Sequence, residues 1–155
     1  MTTTTVTRII LAPREKQVLE GLADGSMLAA VALRLKIREG TASGYLKLAK
    51  RKLYGVSETA AALAVGYATE AIARPDLLDP ESLRLTREQH DLVPLIAQGM
   101  SSAQMASELK RGVEIIRRDG RELLASLQAR NRAHAITRAW EHRILTRDQV
   151  IAWLC

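Results

Sequence analysis

The feature that most constrains this chain is that it repeats itself at a constant offset of 74 residues. Leu11, Val18, Leu19 and Leu22 recur as Leu85, Leu92, Val93 and Ile96. Ala23 and Gly25 recur as Ala97 and Gly99, and Ala32, Leu35 and Lys36 as Ala106, Leu109 and Lys110. Ala42, Leu46, Ala49 and Leu53 recur as Ile116, Gly120, Leu123 and Leu127, with no gap needed. Spacings of i, i+7, i+8, i+11 and of i, i+4, i+7, i+11 each fall on one face of an α-helix. Each repeat is therefore a string of helices with one buried stripe apiece, and the pair demands a fold that stacks two similar units.

Start and stop signals set the boundaries. Pro13 suits the first turn of a helix. Thr86 with Gln89, Ser101 with Gln104 and Thr146 with Gln149 have capping-box spacing. Ser57 and Asn131 stand where N-caps belong, ahead of Ala-rich runs. Gly25 and Gly99 stop the first helix of each unit, where a left-handed residue is wanted. The first unit is read as helices near 13–24, 27–35, 39–53 and 57–73, and the second as helices near 87–98, 102–109, 113–127 and 132–143. The fold class is all-α: two tandem four-helix units plus a short C-terminal helix. The divisions are a flexible N-terminal tail (1–10), the first unit (11–73), a linker (74–84) marked by Pro75, Asp76, Asp79 and Pro80, the second unit (85–145) and the C-terminal helix (146–155). Val6 to Leu11 reads as a brief strand at most, with no partner in view. Pro94 falls inside the first helix of the second unit and is expected to kink it.

Composition narrows the function. Apolar residues make up 47% of the 155, yet there is no Phe, so Leu, Ile, Val and Ala must pack the core. A net charge of +6 favours a polyanionic partner. The aromatics are too few and too scattered for base stacking, which argues against single-stranded RNA or DNA. Cys155 is the sole cysteine, so no disulfide can form within the chain and a reducing compartment fits. The N-terminus lacks the apolar stretch of a signal peptide, and no segment is long and apolar enough for a membrane span. The expected location is cytoplasmic and nucleoid-associated, with no membrane partner. His90, His134 and His142 show no metal spacing and read as surface or capping residues. Trp140 and Trp153 read as core. With no phosphate-binding loop, nucleophile elbow or paired carboxylates, the chain is expected to be neither an enzyme nor a metal or cofactor protein.

The stretch Leu11-Ala12-Pro13-Arg14-Glu15-Lys16-Gln17-Val18-Leu19 resembles the opening helix of LuxR/GerE-type regulators. Val31 to Thr41 resembles their turn into the recognition helix, and Lys52-Leu53-Tyr54-Gly55-Val56-Ser57 its end. Leu85-Thr86, Ile96 to Ser101 and Asn131 to Ile136 are similar to the same landmarks, which makes the second unit a divergent copy. The resemblance implies a helix-turn-helix effector without a sensor domain. It departs from the pattern at Ala12, where the family's capping Thr is missing.

In a helix-turn-helix the second helix of the motif enters the major groove, and neighbouring residues hold phosphates. Candidate contacts in the first unit are Arg38, Thr41, Ser43, Gly44, Tyr45, Lys47, Lys50, Arg51 and Lys52. In the second they are Arg117, Arg118 and Arg121, which alternate with Glu114, Asp119 and Glu122. Arginine can read guanine there, or it can pair with its acidic neighbours along the helix. Residues 59–69 carry no charge, so more than one side of that helix must be covered. The family's fourth helix commonly forms the dimer contact. Leu63, Val65 and Tyr67, with Ile136 and Trp140, are the candidate contacts, either between the two units as an intramolecular pseudo-dimer or between two chains as a homodimer. The expected function is a sequence-specific duplex-DNA-binding transcriptional regulator reading the major groove with one or both recognition helices. The alternative is a protein–protein interaction module, binding a partner or polymerase, on the same scaffold.

Overall fold

The computed structural model describes residues 8–79 and 83–154. Most of the expected tail, Pro80 and Cys155 lie outside the described residues. Within them the chain is all-helical, with nine helices and no strand; residues 8–11 are not extended into one. No helix among the described residues is long and apolar enough to cross a membrane.

The helices are α1 (Pro13–Leu22), α2 (Leu28–Leu35), α3 (Glu39–Lys52), α4 (Thr59–Ala68), α5 (Arg87–Ala97), α6 (Ser102–Leu109), α7 (Val113–Leu127), α8 (Arg132–Glu141) and α9 (Arg147–Leu154). Local chemistry sets their starts. Thr86 and Gln89 exchange both bonds of a capping box, as do Ser101 with Gln104 and Thr146 with Gln149. At α1 only half the box exists: the Ala12 amide donates to Glu15 Oε1 at 3.0 Å, and the Ala12 methyl cannot accept from the Glu15 amide in return. Asn131 caps α8 by accepting from the His134 amide. Ser57 does not cap α4: the N-cap is Glu58, whose side chain makes no capping bond. Burial of the whole helix, rather than a capping bond, holds that end. Nor does Pro94 end α5, which continues to Ala97. The ring removes only the bond to the carbonyl of His90, an exposed residue whose oxygen water can reach.

The repeat is geometric as well as sequential. Helices α1, α2 and α3 start 74 positions before α5, α6 and α7. Lys36 and Lys110 both end their helices in the left-handed region, at φ 58° and 54°. The Ile37 amide then bonds Ala32 O at 3.0 Å, and the Arg111 amide bonds Ala106 O at 3.0 Å. After α7 the offset drops to 73, because the turn into α8 is shorter. Glu70 and Arg143, at φ 62° and 61°, follow α4 and α8 as counterparts. Ala71 N bonds Gly66 O, and Ile144 N bonds Ala139 O, both at 2.9 Å.

These two four-helix sets meet through α4 and α8. The missing charge called for cover on more than one side; every residue from Ala60 to Thr69 is buried, and the cover comes from α1, α3, α5, α8 and α9. Leu63, Val65, Tyr67, Ile136 and Trp140 all belong to one core cluster shared by both sets. Tyr67 and Trp140 occupy equivalent positions and touch each other, ring centroids 5.4 Å apart. The Tyr67 hydroxyl lies 2.8 Å from Thr137 Oγ1 in a buried hydrogen bond. Contacts off this axis are reciprocal. The Gly25 turn docks on the start of α8, where Asn131 Nδ2 donates to Gly25 O at 3.1 Å. Its counterpart, the Gly99 turn, docks on Glu58 and Ala61 at the start of α4. Equivalent residues meeting each other, and unlike pairs meeting twice, are the signature of a two-fold axis, here within one chain.

Candidate nucleic-acid interface

Helix α3 is anchored from one side. Ala42, Ala49 and Leu53 are buried, and Leu46 is half-buried between them. Ala42 joins Val18, Leu22, Val31 and Ala32 in a small core that binds α1, α2 and α3 together. The opposite face is open: Gly40, Thr41, Gly44, Lys47, Leu48 and Arg51 are exposed. A Cβ at Gly40 or Gly44 would meet nothing within 4 Å, so another backbone can approach closely there.

The candidate contacts divide by environment. Arg38, Thr41, Gly44, Lys47 and Arg51 stand on the open side, with Ser43 and Lys50 half-buried at its edges. Tyr45 packs with Ile37 against the small core, which leaves only part of its ring outward. Lys52 is committed elsewhere: its ammonium donates to Glu15 Oε1 at 2.7 Å, tying the end of α3 to the start of α1. Glu15 itself is buried. Burial pushes its carboxyl up, but hydrogen bonds from Lys52 and the Ala12 amide, with the lysine charge, hold it below the ordinary value. Arg38, Lys47, Lys50 and Arg51 make no ion pair among the described residues. Four cations with only Glu39 beside them give α3 a free positive surface, and its basic last turn also complements the helix dipole. Lys47, Lys50 and Arg51 line a shallow depression of about 400 Å³ against Gly55, Val56 and Ser57.

Helix α7 presents the same geometry with different chemistry. Arg117 Nη1 lies 2.5 Å from Glu114 Oε1, and Arg118 Nη2 lies 3.4 Å from Asp119 Oδ1. Arg121 alone of its three arginines makes no ion pair among the described residues, and it is exposed. Ile115 stands 45% exposed where α3 has Thr41. Charged groups also enter the interior of this set. Arg111 bonds Asp91 at 2.6 Å and Asp119 is buried, where their counterparts Ile37 and Tyr45 pack on the apolar core of the first set. The repeat register itself aligns these residues, a signal that apolar periodicity passes over. Leu48, exposed on α3, was not among the candidate contacts of the sequence reading.

The histidines do not converge. His90 is exposed, while His134 is half-buried at the seam, where Nδ1 accepts from the Arg130 amide at 3.1 Å. Burial, then the charges of Arg138 and Arg130, holds its pKa below 6.5. His142 is a capping residue, the C-cap of α8, and it is buried there rather than exposed. Trp140 is buried and Trp153 half-buried. No group of residues that could hold a metal ion occurs among the described residues.

No curated protein and no solved structure matches the chain. A family model does match part of it, from Ile9 to Val65, which takes in α1, α2, α3 and the first part of α4 and stops before the second set. Residues 9–65 are thus similar to the family described as GerE, bacterial regulatory proteins of the luxR family.

Proposed function

We propose that the chain is a duplex-DNA-binding transcription regulator whose α3 enters the major groove, with α4 and α8 forming an intramolecular pseudo-dimer. The observation that carries this reading is the set of uncommitted cations on α3, within a domain matching a family of DNA-binding regulators. Thr41, Ser43 and Gly44 lie early in the helix, where base edges are met, and Arg38, Lys47, Lys50 and Arg51 hold phosphates. Helix α7 acts as the weaker reader, because Arg117 and Arg118 must first leave their carboxylates. Coverage of α4 by α8 and α9 supports one chain, rather than two, as the binding unit.

A salt titration tests this. Each lost phosphate contact lowers the slope of log K against log salt by about 0.9. Lys47→Ala with Arg51→Ala should lower it by about 1.8, whereas Arg117→Ala with Arg118→Ala should change it less. Equal effects from the two pairs would remove the ranking, and no effect from the first pair would remove the assignment of α3. The paired charges of α7 and exposed Ile115 favour a second reading, in which that helix docks a protein. A stoichiometric partner whose binding Ile115→Asp abolishes would establish it.

A further inference from the structure

A half-open cavity of about 310 Å³ lies where the segment after α4 meets the corner between α8 and α9. Its floor is Trp140 and Leu145, both buried, and its wall is Pro75 and Leu77. Leu77 remains 53% exposed, a large apolar side chain facing open space. Three arginines ring this apolar hollow. Arg74 lies over the Trp140 ring at 5.3 Å, and its N–H groups are spent on Tyr67 O at 2.7 Å and Ala68 O at 3.2 Å, with Glu70 at 3.5 Å. It therefore offers charge and a flat face. Arg143, at φ 61° just past α8, is exposed; its amide donates to Trp140 O at 3.1 Å, and its guanidinium makes no ion pair or hydrogen bond among the described residues. Arg147 has only Asp148 at 3.6 Å, an exposed pair that a better-placed carboxylate displaces readily. Asp76 belongs to the same segment, but its side chain does not line the cavity.

We propose that this cavity is a binding site for a small aromatic carboxylate. The ring lies against Pro75, Leu77 and the outer face of the Arg74 guanidinium, which itself covers Trp140, and the carboxylate is held at the mouth by Arg143 and Arg147. The size suits a small ligand, and an apolar lining with a few convergent charged groups is the usual make-up of such sites. Guanidinium groups bind carboxylate through paired, charge-assisted hydrogen bonds. An inorganic anion would leave the apolar wall unused, and a neutral ring would leave the arginines unused. The position also gives occupancy a consequence. Arg74 holds the last carbonyls of α4 while Trp140 touches Tyr67 across the seam, so a ligand here braces both halves.

Calorimetric titration of the purified full chain with 2-naphthoate tests the site, with 2-naphthol and inorganic phosphate as comparison probes and Arg143→Ala/Arg147→Ala as the variant. Both arginines are exposed, so the variant keeps the fold. The expected result is saturation by 2-naphthoate below about 10 mM, with binding at least about tenfold weaker for naphthol, for phosphate and for the variant. Thermal unfolding should rise with naphthoate concentration in the parent chain only. Absence of saturation, equal binding of naphthol or phosphate, or an unchanged affinity in the variant would each overturn the proposal. None of these outcomes depends on DNA.

Discussion

Gly25 and Gly99 offer a controlled experiment on the seam between the two halves. Both sit in the left-handed region, at φ 86° and 84°, so alanine at either position carries the same backbone penalty, about 1–2 kcal/mol. Their surroundings differ. A Cβ on Gly25 would lie 3.0 Å from Arg130 Cβ and 3.1 Å from His134 Cβ. Those atoms are rooted in the backbone at the start of α8, so relief requires that end of the helix to move. A Cβ on Gly99 would lie 3.4 Å from Glu58 Cγ and 3.5 Å from Ala61 Cβ, which is ordinary contact. Overpacking of the first kind costs a further ~1–3 kcal/mol. Gly99→Ala should therefore cost about 1–2 kcal/mol and Gly25→Ala about 2–5 kcal/mol in the sum of both effects. Urea unfolding reads the difference: at a slope of about 2 kcal/mol/M, each kcal/mol moves the midpoint by about 0.5 M. Equal midpoints, or a lower one for Gly99→Ala, would refute the claim that the Gly25 turn is docked on α8.

Two further outcomes follow from the same contacts. Tyr67→Phe removes the hydrogen bond to Thr137 while keeping the ring on Trp140, and should lower stability by about 1–2 kcal/mol, read by denaturant midpoint. Glu15 is held below its ordinary pKa of 4.5, so the folded state binds the proton less readily than the unfolded chain. Its contribution is present above that value and is lost as pH falls through the lower folded value. The stability gap between the parent and Glu15→Gln should therefore shrink from about pH 6 to about pH 3, as measured by denaturant unfolding at each pH. A gap that widened would reverse the sign of the argument.

What could be read from the sequence was what neighbouring residues decide. The stripes of Leu11, Val18, Leu19 and Leu22 and of their counterparts placed α1 and α5, and Thr86, Ser101 and Thr146 capped their helices with side chains three positions from their partners. The uncharged run 59–69 announced a helix covered on more than one side, with the cover left open between the second unit and a second chain. Tyr67 and Trp140 lie far apart along the chain, and no local spacing records that they meet. Glu58 displaced Ser57 as the cap because α4 is positioned by its burial, a tertiary effect that overrides local preference. Among the candidate contacts, exposure of Lys47 and Arg51 followed from the helical period. The engagement of Lys52 with Glu15, and of Arg117 with Glu114, depended on which carboxylates the folded chain brought close.

The central claim is that a luxR-type domain in this chain reads duplex DNA through α3. The most direct test is selection of fragments from a random DNA pool by the purified protein at about 150 mM salt, where sequence-blind phosphate binding is much weakened. The account predicts one enriched motif, bound by a single chain and lost in Lys47→Ala/Arg51→Ala. If α7 also reads, a second and unlike half-site should lie about 10–10.5 bp from the first. No enriched motif at any salt would contradict the account and leave the helix-turn-helix as a scaffold for protein contacts.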